Sequence, residues 1–247
     1  MKGQNRIAVS ATAIKWLQSF CVVIKNSAEH IKLALVTGIT RSSFLHYGSS
    51  GGDFTDISDA RKYGAIAGFT DEEMTRYFQP EIERIADIRG VKPENIHEKV
   101  KEWYNSYAFT SGIEKIYNPK SIARYFETGV ANIYWLQEGR ASFFWDQLLR
   151  RPTDFSDLKG NICSNLRFSG SINEAPPAVL MYDTGYLTIG EVNHTNDDEP
   201  YQLRFPNKEV RKAFFQDFVA AKKEEQTWQS RSLYHTNTKG SHFNLRT

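Results

Sequence analysis

The chain has 247 residues, of which 40% are hydrophobic, 13% aromatic and 24% charged, enough for one large domain or two modest ones and too apolar for a disordered tail. Its 31 basic and 29 acidic residues leave a formal net charge of +2, so bulk electrostatics selects neither a nucleic acid nor an anionic membrane, and any such binding rests on a local patch. No stretch reaches the ~18 apolar residues of a membrane span, and residues 1–6 lead into no apolar leader-type run, which reads as a cytoplasmic protein without a membrane partner.

Residues 14–29 place Ile14, Leu17, Phe20, Cys21, Ile24 and Ala28 at helical spacing. Cys21 on that face reads as a small buried hydrophobe, and Cys163 stands far from it in no metal-ligand spacing. Residues 31–37 are apolar apart from Lys32 and predict a strand covered on both faces of a parallel sheet, opening onto Thr37, Thr40 and Arg41. The Ser- and Gly-rich stretch 42–58 reads as a loop, and 63–68 as a short extended piece. Thr70 with Glu73 forms a capping box, so a helix is expected over 71–89, stopped by Gly90. Pro93 starts a second helix and Pro119 a third, with a short hairpin between. Aromatic residues crowd 133–150, which predicts a helical layer. From 177 onward the pattern is helix over 177–182, strand over 185–189, polar turn over 193–200, strand over 201–205 and helix over 208–222. The polar, aperiodic stretch 223–247 reads as disordered.

Several segments, in order, resemble the AAA-ATPase-like family: Val36-Thr-Gly-Ile-Thr-Arg41, Phe54-Thr-Asp-Ile57, Gly68-Phe-Thr-Asp-Glu-Glu73, Trp103-Tyr-Asn-Ser-Tyr107, Tyr117-Asn-Pro119, Thr184-Gly-Tyr-Leu-Thr-Ile189 and Phe205-Pro-Asn-Lys-Glu-Val-Arg211. The resemblance covers about residues 14–222 and implies a P-loop ATPase, usually fused to a C-terminal PD-(D/E)XK nuclease. A full-length member carries a phosphate-binding loop ending in Gly-Lys-Ser and an acidic strand end that holds magnesium. This chain contains no Gly-Lys dipeptide, so that loop cannot be drawn. The chain is therefore expected to be a truncated member of mixed α/β, mostly helical fold. Residues 1–68 would be a remnant of the P-loop α/β sheet, 69–160 a helical lid and 161–222 a winged-helix-like module. ATP and Mg are expected only for the full-length family, with no cofactor, metal or catalytic residue in this chain.

The resemblance makes Thr37, Thr40 and Arg41 a nucleotide-sensing edge, since a polar strand end can orient water and an arginine can stabilise phosphate charge. Ser42 to Gly52 lacks the lysine and the strand-loop-helix context of a phosphate cradle. Pro152, Asp154, Asp157 and Lys159 imitate a nuclease motif, yet two acids three residues apart in a polar loop do not span the two strands such a metal site needs. Asp197, Asp198 and Glu199 fall in the polar turn and read as solvated. Lys208, Arg211 and Lys212 head the last helix and are the candidate contacts to DNA phosphates or to a partner protein through the winged helix. The aromatic clusters read as packing, and the six histidines are scattered singly.

Overall fold

The computed structural model describes residues 15–16, 18–38, 55–58, 60–110, 112, 114–135, 142–149, 162–164, 166, 174–192 and 201–239. The architecture is mixed α/β and mostly helical. Helix α1 (Asp71–Arg89) opens on the expected capping box: Glu73 N–H donates to Thr70 Oγ1 and Thr70 N–H to Glu73 Oε2, at 3.2 and 2.9 Å. Gly90, at φ 62°, ends it in the left-handed conformation that a residue without Cβ adopts at no steric cost. Helix α2 (Pro93–Tyr104) and helix α3 (Pro119–Thr128) both begin on proline, and Asn118 caps α3 by accepting from Ser121 N–H at 3.1 Å. Between them, Tyr107 pairs with Ile116, and Phe69 pairs with Tyr117. The predicted hairpin thus holds one isolated antiparallel bridge among the described residues, Tyr107 with Ile116, while Phe69 reaches Tyr117 from before α1.

The buried faces of these helices follow from spacing. Ile96, Val100, Trp103 and Tyr104 lie on one side of α2, and Ile122, Tyr125 and Phe126 on one side of α3. With Met74, Ile82, Ile85 and Ala86 of α1, they close a first core that also takes in Tyr117 and Tyr134.

A second core is organised by a sheet. Strand β1 (Ile162–Ser164) pairs antiparallel with β3 (Tyr201–Arg204), which pairs antiparallel with β2 (Thr188–Val192), giving the order β1-β3-β2. Helix α4 (Ser142–Leu149), helix α5 (Pro177–Asp183) and the start of helix α6 (Lys208–Lys239) cover it. Phe144, Trp145, Leu148, Leu180, Tyr186, Leu203, Val210 and Phe214 fill the core, with the Phe144 and Tyr186 rings stacked at 4.9 Å. The aromatic crowding in the sequence is thus packing, although among the described residues of the expected 133–150 layer only 142–149 are helical and 131–134 have no regular structure.

Three stretches differ from the sequence reading. Residues 31–37, expected as a buried strand, have no regular secondary structure and, like Gly38, are exposed throughout, Leu33 at 82% and Leu35 at 68%. A strand needs neighbours for its N–H and C=O groups, and no described residue pairs with this one. Residues 63–68, expected as extended, are instead a run of turns, with Tyr63, Ile66 and Gly68 N–H each bonded three residues back. Helix α6 continues to Lys239 through a segment expected to be disordered. No Gly or Pro interrupts the chain between Pro206 and Gly240, so nothing local stops the helix.

Candidate functional site

The two groups of candidate residues meet different fates. Thr37 is exposed within the irregular segment, whereas Thr40 and Arg41 lie outside the described residues, as do the nuclease-like stretch 151–159 and the turn 193–200. Lys208, Arg211 and Lys212 stand together on the first turns of α6, against the end of α2. Lys208 Nζ is 2.9 Å from Glu102 Oε1 and 5.4 Å from the centre of the Trp103 ring, and Lys212 Nζ lies 4.8 Å from the same ring. Two of the three candidate cations are therefore held over one indole by cation–π attraction. Arg211 is exposed, and its side chain has no partner among the described residues.

Beside these cations, Glu209 points the other way and is fully buried. Its Oε1 accepts from Ser121 Oγ at 3.1 Å, Tyr134 N–H at 2.6 Å and Trp135 N–H at 2.9 Å. Its Oε2 is buried without a hydrogen-bond partner. Burial raises the Glu209 carboxyl above its ordinary range, against the lowering effect of those three donors and of the nearby charge of Lys120. The position explains the bonding. Tyr134 belongs to the first core and Trp135 packs on the second, so Glu209 clasps the chain where it passes from one core to the other.

The rest of this seam is polar too. Asn207 donates from Nδ2 to Asn105 O at 2.9 Å and caps α6 by accepting from Val210 N–H at 3.0 Å. Thr188 Oγ1 accepts from Ala108 N–H at 2.7 Å and donates to Ala108 O at 2.8 Å. Tyr107 and Tyr182 hydroxyls donate to Gly185 O and Phe109 O. Burial pushes the Tyr107 phenol well up, with the Glu209 and Tyr186 charges adding to it, so it stays a donor. Sequence reasoning missed this seam because its partners are 73 to 102 residues apart. The one local signal was an acid in the first turn of a helix preceded by Pro206-Asn207.

One further polar group lies at the start of α1. Asp71 accepts from the Tyr117 hydroxyl at 2.5 Å and stands 3.4 Å from His97 Nε2 and 3.7 Å from Lys101 Nζ. Thr75 Oγ1 is 3.2 Å from that same Nε2. In a hydroxyl–imidazole–carboxylate relay the two ring nitrogens face opposite partners. Here acid and hydroxyl share one nitrogen, so the group ties α1 to α2 and cannot pass a proton along a line.

Among the described residues, no helix is long and apolar enough to cross a membrane. No protein-family profile matches the chain, and no solved structure matches it. The chain is 29% identical over 196 residues to a protein of Azotobacter chroococcum mcd 1 described as an uncharacterized protein in the vnfD 5' region. The aligned stretch is 79% of this chain and 36% of that protein, so the chain spans about a third of the length of the relative it matches.

Proposed function

We propose that this chain is the helical-lid and winged-helix-like part of an AAA-ATPase-like protein, a body that packs on a nucleotide-binding core and performs no chemistry of its own. The observation that carries the reading is the seam at Glu209, which joins the helical unit to the three-stranded unit through buried hydrogen bonds. A lid transmits motion only if it moves as one piece, and buried hydrogen bonds such as the three to Glu209 Oε1 favour one geometry between packed surfaces. The ordered motifs and the helix-strand-strand succession α5, β2, β3 support the same assignment. Thr37, with Thr40 and Arg41, would face nucleotide only when the exposed run 31–38 is seated in a sheet. The test is phosphate release from MgATP by the purified chain, with release at the blank rate expected. Turnover that disappears on Arg41→Ala would overturn the proposal.

A second reading, a DNA- or protein-binding module, draws support from Arg211, exposed and with no side-chain partner among the described residues. Against DNA stands the composition of α5, the helix that such a module would lay in a groove: Pro177–Asp183 holds no Lys or Arg, and Val179, Leu180 and Met181 are buried. Salt-sensitive binding of duplex DNA that is lost in the Arg211→Glu, Lys212→Glu double variant would favour this reading over the first.

A further inference from the structure

Eight of the fifteen large apolar side chains that stand exposed among the described residues fall between positions 16 and 36. Residues 15–16 and 18–26 are helical, and Trp16, Phe20 and Val23, at 76%, 58% and 60% exposure, recur at the i, i+4, i+7 spacing of one helix stripe. After the short turn Ala28–His30, the run 31–37 continues the pattern at the strand period, with Ile31, Leu33 and Leu35 on alternate positions. No backbone hydrogen bond joins 32–38 to another described residue.

The run Ile31-Lys-Leu-Ala-Leu-Val-Thr37 is close to symmetric about Ala34 and carries one charge, Lys32. In an antiparallel pair of two copies centred on Ala34, Leu33 stands opposite Leu35, Ile31 opposite Thr37 and Lys32 opposite Val36. At about 3.4 Å per residue the two Lys32 positions are then roughly 14 Å apart along the strands, beyond the ~8–10 Å over which exposed charges act at physiological salt. Parallel pairing in register would instead set Lys32 against Lys32 at about 5 Å, where like charges destabilise. A second copy in the antiparallel register therefore meets apolar residues with apolar ones and keeps the charges apart. The extent fits as well: 23 described residues lie within 15–38, and a standard interface takes about 20–30 from each partner.

We propose that residues 15–38 are the interface of a symmetric homodimer, in which the runs 31–37 of two copies pair antiparallel about Ala34. A two-stranded ribbon alone is marginal in water, and the stripes of Trp16, Phe20 and Val23 supply the apolar cover it needs. The same surface serves both copies, so the contact closes on two chains. The dimer goes beyond the lid reading and does not rest on it, since no residue bonded at the Glu209 seam takes part.

Cysteine cross-linking of the full chain under mild oxidation tests the pairing and its register. The two copies of residue 34 would have Cα atoms about 4.5–5.5 Å apart, inside the range that a disulfide spans. Ala34→Cys is therefore expected to give a covalent dimer that the unaltered chain, with Cys21 and Cys163, does not form. Thr37→Cys alone should stay uncrosslinked, because its two copies lie about 20 Å apart along the ribbon, whereas Thr37→Cys mixed with Ile31→Cys should cross-link. Ile31, Ala34 and Thr37 are all exposed, so these changes leave both cores intact. No dimer in Ala34→Cys beyond that of the unaltered chain would overturn the interface. Cross-linking of Thr37→Cys alone as strong as that of Ala34→Cys would overturn the antiparallel pairing.

Discussion

Glu209 brings a carboxylate into the wall between two apolar cores, where its ionisation is opposed by burial and aided by three donors. Removing it strands the N–H groups of Tyr134 and Trp135 away from water, and each stranded donor costs about 1–3 kcal/mol. Glu209→Ala is therefore expected to lower the unfolding free energy by roughly 3 kcal/mol or more in urea titrations. Glu209→Gln keeps an acceptor oxygen for all three donors and sheds the buried charge, so it should cost less than about 1 kcal/mol. The two variants also separate in their pH dependence. The folded carboxyl holds its proton more tightly than the unfolded one, so the folded state binds more protons between the two pKa values. The Glu209 contribution therefore makes the chain more stable as pH falls through the folded pKa, levelling off below the unfolded value of 4.5. The difference in unfolding free energy between the unaltered chain and Glu209→Gln, measured from neutral to acid pH, should carry that slope. A difference flat with pH would contradict it.

At the scale of elements, the sequence was readable wherever the signal was local. Thr70 and Glu73 lie three residues apart and satisfy each other's backbone donors, so the start of α1 could be placed without knowing its neighbours. The same holds for Pro93 and Pro119, and for Gly90 at the end of α1. Thr70→Ala should lower the thermal midpoint by removing about 1 kcal/mol of capping. Reading failed where the outcome depends on distant partners. The apolar run 31–37 carries the pattern of a strand buried on both faces, but a strand exists only where another pairs with it. The helical reach of α6 past Lys222 was missed for another reason, since polar composition was given more weight than the lack of any breaker. Of the candidate site, the cluster Lys208, Arg211, Lys212 was visible as a basic face, while the Trp103 ring that engages two of them was not, being more than 100 residues away.

For the whole molecule, two cores meeting across a polar seam is the main consequence of the sequence, and the exposed run 31–38 is its main anomaly. Leu33 and Leu35 face water on a segment that pairs with no strand among the described residues, which makes it a template for pairing with a further strand. Sedimentation should accordingly show concentration-dependent association that falls when Leu33 and Leu35 are both changed to Lys; equal association in the variant would place the contact elsewhere. The lid reading gives this run a place in a sheet, but its mechanical part rests on the seam alone. Exchange of the Tyr134 and Trp135 amide protons tests that part most directly. If the two cores move as one body, these amides open only with global unfolding and exchange as slowly as Tyr125 in one core and Ile189 in the other. Rapid exchange at Tyr134 and Trp135 while both cores stay protected would mean that the clasp at Glu209 opens freely, and the single-body lid would be wrong.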